Sequence, residues 1–233
     1  MDRRQGSAEA RHDGPPATPR PAASIVLLRR GGKHSQRALE VLLLKRSEAA
    51  AFMPGVWVFA GGSVDPADGE GPDGYRACAR RELREEAGIE LPADEELVPF
   101  CRWVTPEIVS RRFDAWFFLA LAPAHTPPKA DGVETVDARW FEPAAAIAAA
   151  EAGELVLPFP TRTQLGWLAA HPTSDVALAA YREEGVWDVQ ELTHDHLVDL
   201  ETLANALRRF PGDGGAVGLV AMDCRRARRA APA

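Results

Sequence analysis

Arg80-Arg81-Glu82-Leu83-Arg84-Glu85-Glu86-Ala87-Gly88-Ile89 is the stretch on which the reading of this chain turns. Three carboxylates fall within five residues. On a helix, Glu82 and Glu86 share a face at i and i+4, and Glu85 lies on the edge of that face at i+3 from Glu82. Like charges at this spacing repel each other, and a face built only for stability would interleave Lys or Arg. A hard divalent cation removes the repulsion, because Mg²⁺ combines one or two carboxylates with phosphate oxygens. The competing reading is a solvated acidic face, and the flanking residues weigh against it. Arg81 precedes Glu82 and reaches Glu85 at i+4. Gly88 stands where a helix C-cap belongs, and the chain turns apolar at Ile89. Ala79, Leu83 and Ala87, with Tyr75, give the helix a core-facing side. Cys78, one turn before Glu82, reads as a small buried residue rather than a soft ligand.

Upstream, Phe59-Ala60-Gly61-Gly62 sets a glycine pair directly after an apolar run, which lets backbone approach a ligand closely. With these residues in view, the chain resembles the Nudix hydrolase family, whose box reads G-x5-E-x7-R-E-U-x-E-E-x-G-U with U a bulky aliphatic. Arg81, Glu82, Leu83, Glu85, Glu86, Gly88 and Ile89 reproduce its second half. The first half departs from the pattern. Counting back eight residues from Arg81 gives Asp73 in place of the first glutamate, and the distance from Gly62 to Arg81 is five residues longer than in the box. Residues 63–72 therefore read as a loop inserted before a helix from about Gly74 to Ala87, with Asp73 as its N-cap. The resemblance implies an α/β fold, the Nudix α/β/α sandwich with a mixed sheet, here carrying extra C-terminal helices. It implies Mg²⁺, with Mn²⁺ able to substitute, on Glu82, Glu85 and Glu86. The carbonyl of Gly61 and the side chain of Glu134, ahead of the last strand, are further candidate ligands. Glu85, Glu86 and Glu134 are the candidate general bases, and Arg81 is expected to orient Glu85 rather than touch substrate.

A finer resemblance runs through Leu42-Leu43-Leu44-Lys45-Arg46-Ser47 and Gly55-Val56-Trp57-Val58-Phe59-Ala60-Gly61-Gly62. It is similar to the signature of the coenzyme A and acyl-coenzyme A diphosphatase branch, LL-(T)-x-R-(S/A)-x3-R-x3-G-x3-F-P-G-G. Two positions differ: Ala51 stands where the branch has arginine, and Ala60 where it has proline. Phe52-Met53-Pro54-Gly55 and the long loop after the glycines look more like the peroxisomal type and its bacterial relatives. This likeness makes coenzyme A or an acyl-coenzyme A the first expected substrate. ADP-ribose, NADH, a dinucleoside polyphosphate and an oxidised nucleotide are alternatives, as is a domain that binds nucleotide without cleaving it. Arg46, Arg111 and Arg112 are the candidate phosphate-binding residues, since an arginine fork matches phosphate oxygens. Trp103 or Phe113 could stack on a nucleobase, although core packing is the commoner role.

The rest of the chain frames that centre. Its 233 residues are 46% hydrophobic and 26% charged, which suits one globular domain with an appendage. A net charge of −7 gives no reason to expect nucleic-acid binding. Three unevenly spaced cysteines, Cys78, Cys101 and Cys224, suggest no disulfide framework and a reducing cytoplasm. No apolar run approaches the roughly 20 residues of a membrane span. A small-molecule partner is expected, without nucleic acid or membrane, and a homodimer is possible. Residues 1–20 read as a disordered tail, 21–170 as the Nudix domain, 171–222 as a helical extension packing on it, and 223–233 as a basic tail. Strands are expected near residues 24–28, 39–44, 56–59, 97–104, 113–121 and 136–141. Helices are expected at 143–152, from about 158, at 175–184 and at 193–209, the last with a stripe of Leu197, Leu200, Leu203 and Leu207. His194-Asp195-His196 is too short a pattern to mark a metal site, and a helix cap explains it more simply.

Overall fold

A computed structural model describes Pro15 and residues 17–30, 38–50, 52–105, 111–124 and 126–188. The expectations for the N-terminal tail before Pro15, Ala51, the helix at 193–209, the His194-Asp195-His196 pattern, Cys224 and the basic tail lie outside these residues.

Side-chain alternation builds the two-sided core. In β1 (Arg20–Arg30), Ala23, Ile25 and Leu27 point to one face and Val26 and Leu28 to the other. In β2 (Leu39–Arg46), Leu42 and Leu44 join the first face while Val41 and Leu43 join the second. A period of two with apolar residues on both sides is what a sheet covered by helices on each face requires. β3 (Trp57–Val58) pairs antiparallel with β2, and β4 (Ala60–Ser63) antiparallel with β1.

The helix expected from the acidic stretch is α1 (Gly71–Ala87). It lays Cys78, Ala79, Leu83 and Ala87 on the first face of the sheet, with Tyr75 partly buried beside them. Gly88 ends it in the left-handed conformation, φ 63°, and donates its N–H to the carbonyl of Arg84. Such a φ is strained for any residue with a Cβ.

β5 (Val98–Val104) pairs antiparallel with β6 (Phe113–Leu121), and β6 runs parallel to β1 over nine residue pairs. β7 (Thr135–Phe141) runs antiparallel to β2. The opposite face is covered by α2 (Pro143–Glu151), α3 (Phe159–Leu168) and α4 (Ser174–Glu184), which contribute Ala146, Leu165, Leu168, Leu178 and Tyr181 to the second core. A two-residue β8 (Trp187–Asp188) lies parallel on the edge of β5. The result is the expected α/β/α sandwich around a mixed sheet. No helix among the described residues is long and apolar enough to cross a membrane.

Two local expectations need correction. β1 starts at Arg20 instead of near residue 24, because its N-terminal residues pair with Phe113 and Asp114 of β6; Pro21 sits near the strand's start, where a missing N–H is tolerated. α1 starts three residues earlier than expected. Pro72 occupies the first turn, where a fixed φ favours the helix. Glu70 is the N-cap, without a side-chain hydrogen bond, and Asp73 lies within the first turn.

Candidate active site

The last two turns of α1 face the Gly61-Gly62 segment of β4, and this approach defines the site. Glu86 is 3% exposed. Its Oε2 accepts the Gly61 N–H at 3.0 Å. Burial pushes its pKa up to about 7; the Gly61 N–H and the Arg46 guanidinium oppose the rise, and the charges of Glu82 and Glu134 add to it. Glu82 lies one turn earlier, and its pKa is also raised, chiefly by burial. A Cβ added at Gly62 would lie 2.4 Å from Glu82 Oε1, so the carboxylate would have to shift, and one at Gly61 would meet the Ala23 carbonyl at 2.6 Å, where backbone leaves no room. Glu85 is exposed at the rim.

Arg81 organises the acidic face. Its Nε donates to Asp68 Oδ1 at 2.9 Å. Nη1 donates to Glu82 Oε1 at 2.8 Å and to Glu85 Oε2 at 3.1 Å. Nη2 donates to Asp68 Oδ2 at 2.8 Å and to the Ser63 carbonyl at 3.1 Å. These five bonds match the five N–H donors of a guanidinium. The Asp68 hydrogen bond, followed by those of Glu82 and Glu85, raises the pKa of Arg81. The acid paired with Arg81 is Asp68, while Asp73, at the place of the first glutamate by the eight-residue count, lies in the first turn of α1. The Asp68 side chain is 5% exposed, and the Arg81 hydrogen bond holds its pKa below the ordinary value. The inserted loop supplies it: Pro66–Asp68 forms one 3₁₀ turn, and Asp68 Oδ2 accepts the Asp65 N–H at 2.9 Å. The Asp65-Pro66-Ala67-Asp68 run carried that turn signal in sequence. The box's five-residue gap counted forward from Gly62 also lands on Asp68; the count made backward from Arg81 missed it because the extra residues lie between Asp68 and Arg81.

The outlying candidates divide. Glu134 is exposed in the loop before β7, near enough for its charge to act on both Glu82 and Glu86. Arg46, at the end of β2, donates Nε to the Phe52 carbonyl at 3.1 Å and faces Glu86 electrostatically. Arg111 lies over the Phe52 and Phe113 rings, 5.4 and 5.9 Å from their centroids. Arg112 has another task. It donates to the carbonyls of Thr105 at 2.9 Å and Ala17 at 2.7 Å, tying the lead into β1 to the end of β5. Trp103 packs against Phe159 and Trp167, and Phe113 against Phe52, so both contribute to packing. Cys78 is fully buried, its thiol donates toward the Gly62 and Ser63 carbonyls, and burial drives its pKa up to about 12, as suits a small buried residue.

No group of three or more His, Cys, Asp or Glu side chains among the described residues forms a finished metal cage. The donor set nevertheless suits a hard cation that brings water and substrate oxygens with it. Glu82 and Glu86 are acceptors held against their own charge by burial, and a divalent ion would relieve that conflict.

This fold and this acidic face define a domain class, and comparison with known proteins identifies it. The NUDIX domain family matches residues 18–158, and the chain belongs to that family. A second family, described as Rv3753c-like tRNA adenosine deaminase-associated protein, matches residues 175–225, most of which lie outside the described region. The chain is 31% identical over 175 residues to "Putative nudix hydrolase 7" of Caenorhabditis elegans, covering 60% of this chain and 57% of that protein. The chain thus spans little more than half the length of this relative. Among solved structures, a NUDIX hydrolase from Alicyclobacillus acidocaldarius superimposes with a TM-score of 0.60 at 24% identity, covering 70% of this chain and 96% of that one. A C. elegans Ap4A hydrolase gives a TM-score of 0.48 at 22% identity, covering 65% and 96%.

Proposed function

We propose that the protein is a pyrophosphohydrolase that cleaves the diphosphate linkage of a nucleoside-diphosphate-linked substrate, with coenzyme A or an acyl-coenzyme A as the first choice. The observation that carries this reading is Glu86: a buried carboxylate, opposed to its own ionisation, one helical turn from Glu82 and against the Gly61-Gly62 backbone. A structural role alone gives no reason to keep such a charge.

Glu82 and Glu86 would hold Mg²⁺ or Mn²⁺, with Glu85, Glu134 and the Gly61 carbonyl as further donors. The bound ion would supply charge neutralisation for the diphosphate and a more acidic water. Arg81, with all five N–H groups engaged, fixes Glu82 and Glu85 and leaves phosphate binding to Arg46 and Arg111. A diphosphate resists water because its own charge repels a nucleophile, and these two cations oppose that repulsion. The water's proton would pass to Glu85, Glu86 or Glu134. The coenzyme A choice rests on the Leu42-to-Gly62 signature, in which Arg46 donates to the Phe52 carbonyl and acts electrostatically on Glu86.

The test is a hydrolysis panel in Mg²⁺ with products read by mass: coenzyme A, an acyl-coenzyme A, NADH, ADP-ribose, a diadenosine polyphosphate and 8-oxo-dGTP. Release of 3′,5′-ADP and a phosphopantetheine from coenzyme A is the expected result. Cleavage of another member keeps the chemistry and replaces the substrate. Tight binding without any cleavage overturns the enzyme reading in favour of a nucleotide sensor.

Gly62→Ala tests the close approach of β4 and α1. The new methyl has to displace Glu82, which is held 2.8 Å from Arg81. Turnover should fall by about a hundredfold, as misplacement near 1 Å does, while stability changes little, because the methyl meets only the movable end of the Glu82 side chain. Wild-type turnover in this variant would show that Glu82 need not stand where Gly62 admits it.

A further inference from the structure

The loop that carries Glu134 is bound to the body of the protein at more points than a surface loop needs. Asp131 Oδ1 accepts the N–H groups of Val133 at 2.9 Å and Thr135 at 2.8 Å, and Oδ2 accepts that of Glu134 at 3.3 Å. Partial burial of Asp131 opposes its charge, but those three N–H groups hold its pKa below the ordinary carboxylate value. Thr135 is fully buried and donates its hydroxyl to the backbone carbonyl of Glu86 at 2.8 Å. That carbonyl belongs to the last turn of α1, where four C=O groups lack helical partners. The same loop supplies a second cap, since the Lys129 N–H donates to the Ala87 carbonyl at 2.8 Å. From the other side, the Ser47 N–H, just beyond Arg46, donates to the Glu134 carbonyl at 2.8 Å. The backbone of Glu134 is thus gripped by Asp131 on its N–H and by Ser47 on its C=O, and the next residue is bonded to Glu86 itself.

We propose that Asp131 and Thr135 are positioning residues that lock the Glu134 loop onto the C-terminal turn of α1, so that Glu134 completes the cation-binding face begun by Glu82 and Glu86. This rests on the metal-dependent reading above, and it assigns work to two residues outside the Nudix box. A helix cap alone would account for the Thr135 hydroxyl. It does not account for Asp131 organising the backbone on both sides of Glu134, nor for the Ser47 bond to the Glu134 carbonyl.

The test measures Mn²⁺ binding to the full chain by electron paramagnetic resonance, without substrate, alongside thermal melting. Thr135→Val removes the hydroxyl at nearly constant shape, Asp131→Asn weakens the turn, Thr135→Ser restores the donor, and Glu134→Gln removes the carboxylate. Mn²⁺ affinity is expected to fall about tenfold in Thr135→Val and in Asp131→Asn, in the range found for residues that orient metal ligands. Thr135→Ser should recover it. Combining either change with Glu134→Gln should weaken binding no further than Glu134→Gln alone, because all act through one carboxylate. Variants that melt earlier yet bind Mn²⁺ like wild type, or losses that simply add to that of Glu134→Gln, overturn the proposal. If Thr135→Val does not fold, Asp131→Asn and its double variant decide the matter alone. Absence of Mn²⁺ binding in wild type would instead sink the metal-dependent reading on which the proposal stands.

Discussion

Glu86→Gln is expected to abolish hydrolysis and at the same time to make the metal-free protein more stable at pH 8. The two halves have one cause. Gln keeps the shape of Glu and an acceptor for the Gly61 N–H, so the 3.0 Å bond and the packing of α1 on β4 survive. What disappears is a negative charge in a 3%-exposed position that Glu82 and Glu134 further disfavour. A shift from the ordinary 4.5 up to about 7 corresponds to at most about 3 kcal/mol of destabilisation at alkaline pH, which the substitution removes. Turnover should drop by more than about a hundredfold, since a ligand weighs more than the outer groups whose loss costs about 10–100-fold. Retention of more than about a tenth of wild-type turnover would remove Glu86 from the centre of the reaction. A variant that is both inactive and less stable would recast the residue as structural. Gain of stability with loss of activity is the signature of a group kept for function.

The acidic face was legible because helical period and charge repulsion are local. Glu82, Glu85 and Glu86 at i, i+3 and i+4 say how they will be arrayed before any tertiary contact is known. The doubly buried β2 was legible for a similar reason: five apolar residues in Leu39–Leu44, interrupted only by Glu40, fit no half-exposed strand. Asp68 was legible in one direction only, by counting the box's five-residue gap forward from Gly62. It lies thirteen residues before Arg81, in an inserted loop, and only the 3₁₀ turn at Pro66–Asp68 folds it back onto the guanidinium. Counting back from Arg81 gave Asp73 instead, which sits in the first turn of α1. Arg112 misled for the opposite reason. A basic pair before a strand looks free in sequence, but one member is bound by carbonyls at Ala17 and Thr105, and the first is 95 residues away. Asp131-Gly132 carried a turn signal. Nothing in the one-dimensional order said that the turn would carry Thr135 to the end of α1.

The metal-free protein should lose stability as pH rises from 5 to 7 and regain it when Mg²⁺ is added. Glu86 fixes the sign. Below 4.5 its carboxyl is protonated in both the folded and unfolded chains. Between 4.5 and about 7 only the folded chain keeps the proton, so each step up in pH favours unfolding, and above about 7 the effect is complete. Glu82, raised in the same direction by burial, adds to the slope. Asp68 acts the other way but lower down, since its depressed pKa gives stability that is lost only as pH falls below the ordinary 3.8. His171 opposes the slope within the window: burial lowers its pKa, so its contribution improves as pH rises toward 6.5. Subtracting the melting curve of Glu86→Gln cancels His171 and leaves the carboxylate. Mg²⁺ binds the ionised form, so its stabilisation should be small at pH 5 and, at about a hundred times its Kd, near 2.7 kcal/mol at pH 8. Calorimetry at pH 5, 6, 7 and 8, with and without Mg²⁺, measures both terms. A Mg²⁺ effect independent of pH, or one unchanged by Glu86→Gln, would place the cation away from Glu86. A wild-type curve parallel to that of Glu86→Gln would show that the carboxyl ionises without penalty despite its burial.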